Sequence, residues 1–381
     1  MLPPKKRNLR KKRKNLIRVI RKSIAEIDLG NLVANYRRIG EIVNGKRIIP
    51  IIKADAYGHG AIKVAKRLEK EGVYAFGVAF ISEAVDLRDA GIKTDIIVFF
   101  DNDNIDEYFT YGLIPVIFDE RSIGRFVAAS RSHGRPVTAH IKIDTGMGRV
   151  GLNADNCLDR IIEIDRLDEI TIIGLMSHFS DADLQDRSFA GSQLSKFNSV
   201  FNNMKKAGIN VTAHIANSAG IMTCPDAHLD AVRPGLMLYG YSPVEGVDGL
   251  LPVMKVKTKL ISLRKVPSGS PISYGRTFIT ERPSLIGVVP VGYADGYSRL
   301  FSNKASVVVN GKKAPVVGRV CMDLTMIDLT EIDGVSEEDE VIILSNDPDL
   351  GPTAREMADL ANTIPYEILT SLGNRAKRLY N

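Results

Sequence analysis

From residue 48 onward, short apolar runs alternate with longer stretches whose apolar residues recur every three or four positions. That alternation confines the chain to folds that wind parallel strands with helices. The runs are 48–52, 75–80, 95–100, 114–118, 138–143, 171–176, 211–215 and 237–239. Helical stretches with charged faces lie between most of them, at 62–71, 82–90, 120–133 and 187–207. Parallel strands need a crossover connection, and a helix supplies it. Eight runs spread over roughly 195 residues have the count and size of a (β/α)8 TIM-type barrel. A further strand at 24–29 and a helix at 31–43 are expected ahead of them.

After about residue 243 the texture changes to short segments rich in valine and glycine, at 254–261, 285–291, 305–309, 314–317, 324–327 and 341–344. Asn310-Gly311 between Val307-Val308-Val309 and Lys312-Lys313 is a strong hairpin signal. Helices are expected at 353–361 and 366–372. The expected organisation is therefore an arm at 1–22, a barrel at 23–243 whose first strand could pack with the β domain, and a mainly β domain at 244–381.

The net charge of +6 is a property of the arm. Residues 1–22 hold eleven lysines and arginines and no acid, which leaves the remaining body with 40 basic against 45 acidic residues. Such a run predicts a solvated, disordered arm, and any nucleic-acid or acidic-membrane binding is expected through it alone. The stretch 16–20 is too short and carries Arg18, so it is no signal peptide. No apolar stretch reaches about 18 residues, so no membrane span is expected. Cys157, Cys224 and Cys321 are scattered and contain no Cys-x-x-Cys pair. They predict neither a disulfide framework nor a metal site, and they fit a reducing cytoplasm.

Barrel enzymes work at the C-terminal ends of their strands, and reactive side chains gather there in this sequence. Lys53 ends the run 48–52, Arg149 follows 138–143, His178 follows 171–176, Asn217 and Ser218 follow 211–215, and Arg233 precedes 237–239. A lysine at the mouth of a buried strand loses hydration, which lowers its pKa and frees its amine as a base or Schiff-base nucleophile. The alternative is a strand-end lysine that snorkels to water. Tyr57 lies in a turn opened by Gly58 and Gly60, where backbone can approach a ligand. Asn217-Ser218 reads equally as a helix N-cap or a phosphate cradle. Taken alone, His178 reads as a satisfied core histidine.

The segment Lys53-Ala54-Asp55-Ala56-Tyr57-Gly58-His59-Gly60 resembles the pyridoxal-phosphate segment of bacterial alanine racemases. Further segments resemble that family's signatures in its order. They are Asp144-Thr145-Gly146-Met147-Gly148-Arg149, Ser177-His178-Phe179, Ala216-Asn217-Ser218, Arg233-Pro234-Gly235, Ser273-Tyr274-Gly275, Tyr293-Ala294-Asp295-Gly296, 318–323 and 362–367. The resemblance runs from about Ser23 to the C-terminus and leaves the arm unexplained.

The resemblance implies a two-base alanine racemase that uses pyridoxal 5′-phosphate and supplies D-alanine for peptidoglycan. By it, Lys53 and Tyr274 are the catalytic bases, and Tyr57, Asn217, Ser218, Gly235, Leu236 and Tyr366 hold the cofactor. Arg233 stands against the pyridine nitrogen. An arginine only donates, so that nitrogen would stay unprotonated and the ring would be a weaker electron sink. His178 supports Tyr274, a phenol whose ordinary pKa of about 10 needs lowering for a base at neutral pH. Arg149 clamps the substrate carboxylate, and Lys142 matches a lysine often found carbamylated. Met322 and Asp323 match residues that approach the substrate from a second subunit. Asp183, Tyr293 and Arg319 match a narrow entrance. Tyr274 resembles a tyrosine that reaches the other subunit's barrel, which implies a homodimer with shared sites.

Four residues qualify the match: Ser177 where threonine is common, Pro365 before Tyr366, and Phe99 and Phe100 at the end of a barrel strand. A broader amino-acid or serine racemase stays open. A decarboxylase of the same fold would normally set a glutamate against the ring nitrogen, where Arg233 stands. A non-catalytic cofactor-binding chain would have no use for Tyr274 or Arg149.

Overall fold

The computed structural model describes residues 23–246 and 249–381, so the basic arm expected at 1–22 lies outside the described residues. Contacts divide the chain into a unit Leu29–Pro252 and a second unit in which β1 (Ile24–Ile27) falls with Val253–Asn381.

The first unit is built on β2 (Arg47–Ile48), β3 (Ala75–Val78), β4 (Asp95–Val98), β5 (Ile114–Ile117), β6 (Val137–Asp144), β7 (Ile170–Met176), β8 (Thr212–His214) and β9 (Ala231–Val232). Strands β3 to β8 pair in chain order, all parallel. A parallel bridge between Ile51 and Gly77 joins the β2 segment to β3, and β9 pairs parallel with β2. The Arg233 amide donates to Ala216 O at 2.9 Å, tying the end of β9 to the chain beyond β8 and closing the ring. All residues of β3 and β5 are buried, which is why these strands read as unbroken apolar runs. Helices return the chain between strands. The one at Glu120–His133 shows the local logic: Asp119 accepts the Ser122 amide at 2.7 Å as N-cap, and Gly134 ends the helix at φ 65°.

The eighth strand is not where the apolar run predicted it. Residues 236–239 form a 3₁₀ turn, Leu236–Tyr239, whose side chains are all buried. Burial on every side, rather than a place in the sheet, makes this run apolar. The strand itself, β9, holds only two apolar residues between Asp230 and Arg233. Arg233 therefore follows the last strand, in the same C-terminal position as the other strand-end residues.

In the second unit, β1 lies in a six-stranded sheet between Met254–Lys259, antiparallel to it, and Lys377–Tyr380, parallel to it. The predicted hairpin forms. Val309 opposes Lys312 across Asn310 (φ 49°) and Gly311 (φ 73°), the positive pair a type I′ turn requires. Ser262–Val266, Ser284–Val289 and Thr325–Asp328 make a second, three-stranded sheet. Helices Ala354–Ala361 and Pro365–Leu372 follow, the first capped reciprocally by Thr353 and Glu356. Among the described residues no helix is long and apolar enough to cross a membrane.

Candidate active site

Lys53 follows Ile52 at the end of the β2 segment, half-buried, and the chain then turns with the wrong hand. Ala54, Asp55 and Ala56 have φ of 51–55° and ψ of 47–50°, and Tyr57 has φ of 55°. Each L-residue in that region costs about 1–2 kcal/mol, so such a run persists only where its surroundings dictate it. Local bonds help: the Ala56 amide donates to Ile52 O at 2.9 Å and the Gly58 amide to Ala54 O at 3.0 Å. Asp55 accepts the Ala61 amide at 2.7 Å, and Glu83 accepts the Ala54 amide at 2.6 Å. Burial, and then Arg149, lower the Lys53 pKa, while Glu83 opposes them.

Arg233 sits almost fully buried at the end of β9. It donates to His214 O at 2.7 Å, to Ile215 O at 3.0 Å and to Ser177 O, and it faces His214 Nδ1 at 2.5 Å and His178 Nδ1 at 3.4 Å. Every one of these partners is a carbonyl or an imidazole. Burial and Arg149 push the guanidinium down to about 9.

Because a guanidinium only donates, both ring nitrogens facing Arg233 must accept, which places the ring hydrogens of His178 and His214 on Nε2. His214 then donates to His140 Nδ1 at 2.8 Å. His140, held at about 3 by burial and Arg233, ends this line with its Nε2 unpartnered. Burial, followed by Arg233, Lys142, Arg149 and Lys53, holds His178 well below the usual imidazole range, so it is neutral at neutral pH. Lys142, on β6 beside Met176 of β7, is lowered to about 7 by burial and then by Arg233 and Arg149, with Asp144 opposing. Sequence reasoning missed His214 and His140. Each lies between apolar or small neighbours on a strand and looks like ordinary core there.

Arg149 leaves the end of β6 on a loop that Asp144 shapes by accepting the Gly146 and Gly148 amides at 2.9 and 3.0 Å. Its guanidinium lies 5.3 Å from the centroid of the Phe100 ring. Phe99 points inward against Gly77, and Phe100 is half-buried. Ser177 bonds to Ile143 O and to Thr145 Oγ1, both at 2.9 Å. The smaller hydroxyl residue therefore keeps a full set of partners there.

Beyond β8, Asn217 caps the turn Ser218–Thr223 through the Gly220 amide at 2.9 Å, so the cap reading of Asn217 holds. Ser218 Oγ accepts the Gly235 amide at 2.9 Å and the Met237 amide at 3.4 Å. A Cβ added to Gly235 would lie 2.5 Å from Tyr57 Oη. The Tyr57 ring stacks on Tyr239 at 4.8 Å, and Tyr239 Oη donates to Ile51 O at 2.9 Å. Tyr57, Ser218, Gly235 and Leu236 are thus gathered at one place, while Asp183 is exposed beyond β7.

The second unit gathers the other predicted residues. Tyr274 is 71% exposed on a short 3₁₀ turn after Ser273, whose φ is 64°. Ser273 Oγ donates to Arg319 O at 2.6 Å. The amides of Tyr293 and Ala294 donate to Cys321 O and Met322 O, both at 3.0 Å. Arg375 pairs with Asp295 at 3.2 Å and Asp323 at 3.4 Å. These bonds bring together exposed Tyr274, Tyr293, Met322 and Asp323 with half-buried Arg319. Tyr366 is half-buried on the helix Pro365–Leu372, with Pro365 at the first helical position, where its missing N–H costs nothing.

The family model for the alanine racemase N-terminal domain matches residues 27–243, and that for the alanine racemase C-terminal domain matches residues 253–380. The chain is 50% identical over 360 residues to the alanine racemase of Thermodesulfovibrio yellowstonii, covering 93% of this chain and 97% of that one. It is similar to the alanine racemase structure of Clostridium difficile 630, with 34% identity, a TM-score of 0.90 and coverage of 95% and 96%. It is also similar to an alanine racemase from Bartonella henselae with covalently bound pyridoxal phosphate, with 32% identity, a TM-score of 0.86 and coverage of 95% and 100%.

Proposed function

The chain belongs to the alanine racemase family, and from that premise we propose that it interconverts L- and D-alanine with pyridoxal 5′-phosphate, using Lys53 and Tyr274 as its two bases. The observation that carries the reading is the cluster around Arg233. Arg233, Lys142, Arg149 and Lys53 all act on buried His178 there, and among the described residues Arg233 has only neutral hydrogen-bond partners. A buried cationic site of that kind is suited to an anionic group.

The residues present fit the cofactor. Ser218 Oγ, Tyr57 Oη and the backbone at Gly235 and Leu236 form a small polar cradle that a side chain at residue 235 would fill. A phosphate is the group such a cradle favours. When bound, pyridoxal phosphate supplies an aldehyde to hold the substrate amine and a conjugated ring to accept electrons from the α-carbon. Lys53 lies at the strand end, with an amine whose pKa is lowered by burial, ready to take or return the α-proton at Nζ. Tyr274 serves the opposite face through Oη. His178, whose Nε2 carries a hydrogen, is suited to donate to that oxygen and orient it. Arg149 binds the substrate carboxylate. The amine of Lys142 is partly neutral near pH 7, the form that takes up carbon dioxide, and a carbamate there would give Arg149 an anionic partner.

Tyr274, Met322 and Asp323 act, in this reading, on the barrel of a second copy, so the working form is a homodimer with shared sites. Tyr293, Arg319 and Asp183 narrow the entrance and favour alanine over larger amino acids. The three cysteines are unbridged, which fits a cytoplasmic enzyme.

The test is incubation of cofactor-loaded protein with L-alanine, L-serine, L-lysine and L-glutamate in D2O, followed by chiral separation. Deuterated D-alanine, with little inversion of lysine or glutamate, is the expected result. Release of CO2, or no exchange from any substrate, overturns it.

A further inference from the structure

Four successive non-glycine residues in left-handed backbone follow Lys53, and the local chain does not prefer that geometry. The first amide of such a turn has no partner within it, as at the start of any helix. Here Ala54 N–H, one residue beyond Lys53, donates to Glu83 Oε1 at 2.6 Å. The other carboxylate oxygen accepts the Ala79 amide at 2.7 Å and the Phe80 amide at 3.2 Å. Glu83 lies on the helix Ile81–Asp89, and Ala79 and Phe80 directly follow β3. One carboxylate thus ties the strained turn to the rigid end of the neighbouring barrel strand, with charge-assisted bonds that are stronger than neutral ones.

We propose that Glu83 is a positioning residue for Lys53: its carboxylate grips the Ala54 amide, holds the left-handed turn and so aims the lysine amine at the aldehyde it must capture. The proposal rests on the reading of Lys53 as the cofactor lysine. In that capture the amine nitrogen bonds to the aldehyde carbon, and the aldehyde oxygen leaves as water. The negative charge beside the amine raises its pKa and so opposes the free-amine form, which leaves the grip on the Ala54 amide as what the carboxylate contributes to capture. The phosphate cradle has its own supports: Ser218 and residues 235–237 hold one another, and Tyr57, at the far end of the turn, is held by its stack on Tyr239 at 4.8 Å. Loss of Glu83 should therefore harm capture and spare phosphate binding.

The experiment uses Glu83→Gln, which keeps the shape but turns an N–H donor toward main-chain amides. Full-length protein freed of cofactor is titrated with pyridoxal phosphate and, separately, with pyridoxine phosphate, which has no aldehyde. Covalent capture is read as the fraction of Lys53 trapped by borohydride, measured by peptide mass. The expected result is capture about tenfold weaker in the variant, the scale of one lost bond to a charged group, with pyridoxine phosphate binding unchanged within about twofold on that scale. Unchanged capture, or equal loss for both ligands, overturns the proposal. Failure of the wild type to trap pyridoxal phosphate at Lys53 overturns the underlying assignment instead. If Glu83→Gln does not fold, Glu83→Asp, which keeps the charge but cannot span both sets of amides, is expected to show the same selective loss, and equal loss for both ligands refutes it.

Discussion

Replacing Lys142 with methionine tests the buried cationic cluster through stability rather than activity. Lys142 is 2% exposed, and its pKa falls from the ordinary 10.5 to about 7, chiefly through burial and then through Arg233 and Arg149. Below about pH 7 the lysine is charged whether folded or unfolded, and the folded state bears the full penalty. Between about 7 and 10.5 the unfolded chain binds the proton and the folded one does not, so stability rises with pH across that window. A separation of about 3.5 pH units, at about 1.36 kcal/mol each, corresponds to roughly 5 kcal/mol. Between pH 7 and 9.5 roughly 3 kcal/mol of it should be recovered. Lys142→Met removes the titrating group with little change of volume. Urea unfolding of the wild type and the variant is followed at fixed protein concentration, in buffer free of carbon dioxide so that the lysine stays an amine. The variant is expected to be the more stable at pH 7, with its advantage shrinking by roughly 3 kcal/mol at pH 9.5. Parallel pH dependences for the two proteins would refute the reasoning.

Other perturbations probe separate parts. In Gly235→Ala the added Cβ meets Tyr57 Oη at 2.5 Å, so affinity for pyridoxal phosphate, read by equilibrium dialysis, should fall by about tenfold or more, the cost of displacing one phosphate-binding hydroxyl. Gly311→Ala meets no atom within 4 Å but must hold φ of 73°. Thermal unfolding should then show a loss of about 1–2 kcal/mol from backbone strain alone. Thr353→Ala removes the cap that accepts the Glu356 amide at 3.2 Å and should cost about 1 kcal/mol without altering cofactor binding.

The barrel was legible because strands buried on both faces leave unbroken apolar runs, as at β3 and β5. The same rule misled at residues 236–239, a buried 3₁₀ turn, and passed over β9, whose two apolar residues are too few to register. The place of β1 depends on pairing with Lys377–Tyr380, some 350 residues away in sequence, and no local pattern encodes that. Site residues at strand ends could be picked because chemistry and position agreed. The left-handed turn could not. Ala54, Asp55, Ala56 and Tyr57 carry no glycine to announce positive φ, and the bonds that hold it include one from a distant acceptor, Glu83. His214 stayed hidden for a related reason, since its function depends on Arg233, 19 residues on.

Replacing Tyr274 with phenylalanine addresses the two-base claim most directly. The variant, loaded with pyridoxal phosphate, is given L-alanine and D-alanine separately in D2O, and α-proton exchange and inversion are followed together. If Lys53 and Tyr274 serve opposite faces, exchange from one enantiomer survives while exchange from the other falls along with inversion. Inversion at the wild-type rate would contradict the assignment of Tyr274 as the second base.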